Sequence, residues 1–257
     1  MRQDHTYVVL AYKENPFLED CIISLERQST RSPILLATST PNDHIAAIAA
    51  RHGLTVTVNP DRRGIGADWN FALAATQTQY VTLAHQDDLY DPRFGARSLS
   101  AIAVTPSAAI SFTNARQIDD RGAARSSKVS LAKDALLRLF AGNASALSGR
   151  RARLLLSFGN PVSCSTITFN RAIVPDFRFV EDLSSNLDWD AWVRLVDAGH
   201  TLAYVPDRLV GRRYNDLTET SHLLRTGRRG IEDRMMFERL WPKPVAELVS
   251  RVYALGY

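Results

Sequence analysis

The 257 residues are 45% hydrophobic and 23% charged, which is enough for a full globular core and excludes a disordered tail or a small stapled module. Lys+Arg 31 against Asp+Glu 27 gives a net charge of +4, which fits an anionic ligand such as a nucleoside diphosphate, a nucleic acid or a membrane surface, and equally a solvated basic face. No aromatic RNA-binding motif or zinc-finger spacing occurs, so nucleic acid is not expected as a partner.

The first half alternates strand and helix signals. Tyr7 to Ala11 is a short apolar run that predicts a buried strand, and Leu18, Cys21, Ile22 and Leu25 recur with the period of a helix. Ile34 to Ala37 reads as a second strand, Ile45 to Arg51 as a helix ended by Gly53, and Thr55 to Val58 as a β-branched third strand. Ala67 to Ala75 reads as helix and Tyr80 to Ala84 as a fourth strand. Repeated strand–helix units predict a mainly parallel sheet with helices on both faces, and ligands then bind beyond the carboxyl ends of the strands.

From about residue 108 the pattern changes. Ile110 to Phe112 reads as a strand and Asp119 to Gly122 as a turn. Residues 123–150 are small, polar and basic, and predict a mobile loop with a short helix at Leu136 to Phe140 that covers a bound ligand. Ser165 to Phe169 predicts a strand, and Trp189, Trp192, Val193 and Val196 share one face of a helix closing at Gly199. Thr201 to Val205 predicts the final strand, and the tail from Glu232 predicts helix broken at Pro242 and Pro244. Its apolar stripe suits a core, a homodimer seam or a peripheral membrane contact. Cys21 and Cys164 lie far apart in apolar runs, the usage of buried thiols in a reducing cytoplasm. The N-terminus lacks an apolar signal region, and no stretch approaches the roughly 20 apolar residues of a spanning helix.

The chemistry concentrates at strand ends. His85-Gln86-Asp87-Asp88 follows the fourth strand directly, and adjacent carboxylates there suit Mn²⁺ or Mg²⁺ shared with substrate phosphates. The same Asp pair also makes an ordinary turn. Gly64 and Gly66 open a helix whose start suits close approach to phosphate, or a tight turn.

Ala11-Tyr12-Lys13-Glu14, then Ser24-Leu25 with Gln28, Gly66, Asn70, the acidic strand end and Pro92 together resemble glycosyltransferase family 2. The resemblance covers residues 6 to 115 well and 160 to 240 more loosely. It implies a GT-A (Rossmann-like) α/β fold with a C-terminal, acceptor-side helical region. It divides one continuous domain into a nucleotide-sugar-binding half, residues 1–115, and an acceptor-side half, 116–257. It implies donor contacts from Ala11, Tyr12, Glu14, Thr38, Ser39, Gly66, Asn70, His85 and Gln86, and a metal at Asp87 with Asp88. The chain departs from the family pattern by placing His85 at the first position of the Asp-x-Asp motif, where it reads as a ribose or metal contact or as a strand-end histidine. After the second strand, Thr38, Ser39 and Thr40 replace the family's acidic patch, which leaves the base open.

Asp188 matches the general base of the family's Glu-Asp pair, with Leu187 in place of the Glu; both Asp188 and Asp190 also suit a helix start. Arg212, Arg213, Arg225, Arg228 and Arg229 form a basic region able to hold a diphosphate, or a solvated surface. Asn215 stands where relatives place a metal-binding His, with His222 nearby. The processive Gln-x-x-Arg-Trp signature is missing. The resemblance therefore implies a metal-dependent inverting transferase, cytoplasmic or peripheral at the inner face of a membrane. It would move one sugar from a nucleoside-diphosphate donor to a saccharide or lipid-linked acceptor in surface-glycan synthesis. A nucleotidyltransferase and a degenerate sugar-nucleotide-binding protein are the alternatives.

Overall fold

The computed structural model describes residues 4–61, 64–214 and 227–254. Strand and helix alternate through β1 (His5–Leu10), α1 (Leu18–Glu26), β2 (Ile34–Thr38), α2 (Asp43–His52), β3 (Thr55–Val58), α3 (Ile65–Ala74) and β4 (Tyr80–His85). Local chemistry sets the ends of α2. The Asn42 side chain accepts from Ile45 N at 2.9 Å, and Gly53 closes the helix in the left-handed region at φ 62°. There follow β5 (Leu89–Tyr90), α4 (Phe94–Val104), β6 (Ala108–Ile118), β7 (Ala124–Arg125), α5 (Lys128–Phe140), β8 (Ala146–Leu147) and α6 (Gly149–Ser157). The chain continues with a 3₁₀ turn at Cys164–Thr166, β9 (Ile167–Asn170), α7 (Leu187–Asp197), β10 (Thr201–Arg213), α8 (Arg228–Leu240) and α9 (Lys243–Ala254).

The strands form one sheet in the order β3-β2-β1-β4-β9-β6-β10-β5, with β7 on β6 and β8 on β10. β9 is wedged antiparallel between β4 and β6, while β1 to β4, β6 and β10 all run the same way. Their carboxyl ends therefore share one edge, where an open α/β sheet binds ligands. β1 is buried on both faces, with Val8 in one apolar layer and Tyr7 and Val9 in the other. This explains its unbroken apolar run. The first layer holds Trp189, Trp192 and Phe169, and the second holds Ile22, Leu25 and Phe94.

The structure departs from the sequence reading in four places. Residues 123–150 are mostly regular, because α5 starts eight residues before the expected turn of helix, at a reciprocal cap between Ser127 and Ser130, and buries Leu137. β10 continues past Val205 to Arg213 through irregular pairing near Pro206, which carries the chain to the site edge. Residues 164–166 are a 3₁₀ turn rather than strand. The tail breaks once, at Trp241 and Pro242; Pro244 lies in the first turn of α9, where its missing N–H costs nothing. The tail's stripe is partly core, since Met236, Phe237 and Ala246 are buried while Ile231, Met235, Leu248 and Val252 are exposed. Among the described residues no helix is long and apolar enough to cross a membrane. β6 crosses position 115, so both halves of the chain share the sheet.

Candidate active site

The ends of β2, β1 and β4 lie side by side and present consecutive parts of one rim. Tyr12 N donates to Gln86 Oε1 at 2.9 Å and Gln86 Nε2 donates to Tyr12 O at 3.0 Å, clasping the ends of β1 and β4. Lys13 takes a positive φ of 55°, and its N donates to Thr40 Oγ1 at 2.6 Å, joining the ends of β1 and β2. Tyr12 and Glu14 are exposed on the rim, and Ala11 is buried beneath it. Ser39 Oγ donates to Asp68 Oδ2 at 2.7 Å, and Asn59 Nδ2 donates to Asp68 Oδ1 at 2.9 Å. Asp68, in the first turn of α3, thus returns a carboxylate to the place where the segment after β2 lacks one. Its position in a helical first turn was the only signal in sequence.

Next along the rim, the ligand atoms of His85, Asp87 and Asp88 lie within 4.8 Å of one another. Burial pushes the Asp87 carboxyl up to about 6, with the Asp88 charge adding to it, and burial pushes the His85 imidazole down to about 4. Asp88 is almost wholly buried and its Oδ1 accepts from Arg213 N at 3.0 Å. The Arg213 guanidinium is buried as well. It donates to Asp87 O at 3.0 Å and to the carbonyls of Asp119 and Asp120, and stacks over Phe17 with its carbon 3.9 Å from the ring centroid. These contacts fasten the acidic turn to the end of β10. His85 packs beside Trp69, and its Nε2 is buried without a hydrogen-bond partner. An orphaned imidazole nitrogen beside two carboxylates fits a divalent cation, which would satisfy all three.

Across from this turn, α7 carries Asp188 and Asp190. Glu232 of α8 accepts the N–H groups of Ser184, Ser185 and Asn186, and Asn186 Nδ2 donates to Asp233 at 2.7 Å. These bonds fix the entry to α7. Leu187, Trp189 and Trp192 are buried, with the indole N–H groups donating to Leu156 O and Val162 O. Asp190 is ion-paired with Arg194 at 2.7 Å and with Arg239. Asp188 is half-buried and, among the described residues, accepts only from Trp189 N, at 2.8 Å. Burial raises its carboxyl pKa, against the pull of Lys133, Arg229 and Arg212. Arg212 also acts on His85, Asp87 and Asp88, and Cys164 senses both Asp188 and Asp88. The acidic turn and Asp188 therefore share the electrostatic influence of Arg212.

Two residues expected at the donor also make packing contacts. Asn70 Nδ2 donates to Phe179 O at 2.9 Å while Phe179 N donates to Asn70 Oδ1 at 2.7 Å, so its amide is occupied. A side chain at Gly66 would meet Val180 O at 2.4 Å. Both residues hold α3 against the segment that leads to α7. Asn215, His222 and Arg225 lie outside the described residues.

A mainly parallel sheet with an acidic turn at the end of a central strand defines a GT-A fold. The family model for glycosyl transferase family 2 matches residues 6–171, and the chain belongs to that family. The fold is similar to residues 1–349 of TarS from S. aureus in complex with UDP-GlcNAc, with TM-score 0.63 and 15% identity. The match covers 85% of this chain and 61% of that one, so the chain spans less than two thirds of that relative. Mannosyltransferase PcManGT from Pyrobaculum calidifontis, in complex with GDP-Man and Mn²⁺, matches with TM-score 0.63 and 14% identity, over 98% of this chain and 74% of that one. Glucosyl-3-phosphoglycerate synthase from Mycobacterium tuberculosis with UDP matches with TM-score 0.59 and 19% identity, over 93% and 80%. No curated protein sequence matches.

Proposed function

We propose that the chain is a metal-dependent, inverting glycosyltransferase that moves one sugar from a nucleoside-diphosphate donor to an acceptor hydroxyl. The observation that carries this reading is the cluster at the end of β4, where the ligand atoms of His85, Asp87 and Asp88 lie within 4.8 Å of one another. The UDP-GlcNAc and GDP-Man of the similar structures support a nucleotide-sugar donor.

The donor's base and ribose lie over the rim of Tyr12, Glu14, Ser39 and Asp68, with Gln86 and Tyr12 holding its shape. His85 and Asp87, backed by Asp88, would hold a divalent cation. Such a cation neutralises charge that develops on the leaving diphosphate. Asp188 takes the acceptor's hydroxyl proton as the oxygen attacks the anomeric carbon from the face opposite the leaving group, which inverts that centre. Asp190 and its two arginines fix the orientation of α7. The buried thiols of Cys21 and Cys164 fit a reducing cytoplasm, and the acceptor class is a saccharide or lipid-linked saccharide.

Calorimetry with UDP, dTDP and GDP, each with Mn²⁺, with Mg²⁺ and with EDTA, tests the reading. One nucleotide should bind tightly only with metal, and Asp87→Asn should abolish that difference. Equal affinity for every nucleotide with and without metal overturns it.

A further inference from the structure

A cleft of about 440 Å³ opens between α1, β5, the last residues of β10 and the turn that joins β6 to β7. That volume falls within the roughly 300–1,000 Å³ of small-molecule sites. None of His85, Asp87, Asp88 and Asp188 lines it, and neither do Tyr12, Ser39 and Gln86 of the rim. It is therefore separate from the groups assigned above to donor, metal and base.

The walls are fixed by local bonds. Gly211 of β10 pairs with Leu89 of β5 on one side and with Arg116 of β6 on the other, so the three stand abreast. Ser24 Oγ of α1 accepts from Tyr90 N at 3.1 Å, which seats the helix against β5. Asp119 Oδ1 accepts from Arg121 N and from Ala123 N, each at 2.9 Å, and the Arg213 guanidinium holds the carbonyls of Asp119 and Asp120. The turn that carries Arg121 is thereby held in one shape. Tyr90, Leu209 and Gly211 line the cleft and are buried, which gives it a low-dielectric floor.

Five arginines and three aspartates line the cleft. The aspartates are already engaged: Asp91 accepts from Arg93 Nε at 2.9 Å, Asp20 lies 3.8 Å from Arg213, and Asp120 has interactions of its own. Arg208 is ion-paired with Asp134, and Arg213 is occupied by backbone carbonyls. Arg27 of α1, Arg116 of β6 and Arg121 of the turn remain. Their guanidinium groups make no hydrogen bond or ion pair with another described residue. Three segments far apart in sequence thus bring three uncommitted forks to one cavity, and such forks match the oxygens of phosphate and carboxylate groups.

We propose that this cleft binds a small polyanion, a ligand with two or more phosphate or carboxylate groups, through Arg27, Arg116 and Arg121. Arg27 reaches it from the helix wall, and Arg116 and Arg121 from the strand and turn wall. A ligand with one charged group would leave part of this set unused. The proposal goes beyond the transferase reading and does not depend on it.

The test is calorimetry on the full chain in EDTA, which strips any divalent cation from the acidic turn. Pyrophosphate and citrate are the probes, and the tighter of the two shows whether phosphate or carboxylate chemistry is preferred. At least one should bind with a dissociation constant of about 1 mM or tighter. Arg27→Gln and Arg116→Gln should each weaken it about tenfold, the worth of one charge-assisted hydrogen bond. All three arginines are exposed, so the thermal midpoint should stay at the wild-type value in each variant. Failure of both probes to bind overturns the proposal. So does binding that survives in the triple variant Arg27→Gln/Arg116→Gln/Arg121→Gln, because the anion then sits elsewhere on the chain.

Discussion

Asp188 and Asp190 stand two positions apart in the first turn of α7, and only Asp190 is ion-paired, to Arg194 and Arg239. The two therefore fail differently when neutralised. Asp188→Asn keeps size and capping ability and removes a proton acceptor, so turnover should fall roughly 10²–10⁴-fold with the thermal midpoint no lower than wild type. Asp190→Asn strips a buried carboxylate from two arginines and should cost about 3–5 kcal/mol of stability, as breaking one side of a buried pair does. Thermal unfolding and initial rates on both variants decide it. An inactive but stable Asp190→Asn beside an active Asp188→Asn would reverse the assignment.

Asn70 exchanges two hydrogen bonds with the Phe179 backbone, and both ends are buried. Asn70→Ala leaves a buried carbonyl and N–H without partners, at about 1–3 kcal/mol each. The expected result is a lower unfolding midpoint, and donor affinity that is weakened less than stability. Affinity that collapses in a variant of wild-type stability would show that Asn70 touches the donor directly.

The sites legible in sequence are those built from adjacent residues on one strand end or helix start. His85 to Asp88 follows an apolar run, and Asp188 opens a period of buried tryptophans, so each could be placed on its element. The supports were not legible because their partners are remote. Ser39 and Asp68 are 29 residues apart, and Arg213 N and Asp88 are 125 apart. The start of α5 is hidden in the sequence because its cap pairs Ser127 with Ser130, where a Glu at that position would announce a helix, and because little of it is buried. The apolar period found the core of α7 and missed the cleft of Arg27, Arg116 and Arg121, which only the folded sheet brings together.

Asp68 links Ser39 and Asn59 at the rim proposed for the nucleobase. Removing it as Asp68→Ala should weaken nucleotide binding by about tenfold or more, since hydrogen bonds to a charged group are worth about 1.5–3 kcal/mol. Ser39→Ala should cost less, because Asn59 still holds the carboxylate. Calorimetry at fixed Mn²⁺ measures both. Unchanged affinity in Asp68→Ala would move the base elsewhere.

The base must be ionised to accept a proton, so turnover should fall as pH drops through the Asp188 pKa. Burial sets that pKa above the ordinary 3.8, and Lys133 is the strongest influence pulling it back down. The acid limb of turnover should therefore lie above the usual carboxylate range, and Lys133→Met should move it higher still when acceptor is saturating. Stability runs in the opposite sense. A carboxyl whose folded pKa is raised binds more protons folded than unfolded, so its contribution declines as pH rises from the ordinary value through the raised one. Asp188→Asn removes that decline, so its midpoint should equal or exceed that of the wild type at neutral pH and converge with it in acid. Rates from pH 4 to 9 and paired melts measure both effects. An acid limb that stays in place in Lys133→Met would show that Lys133 does not act on the base, and one that persists in the residual activity of Asp188→Asn would assign the titration to another group.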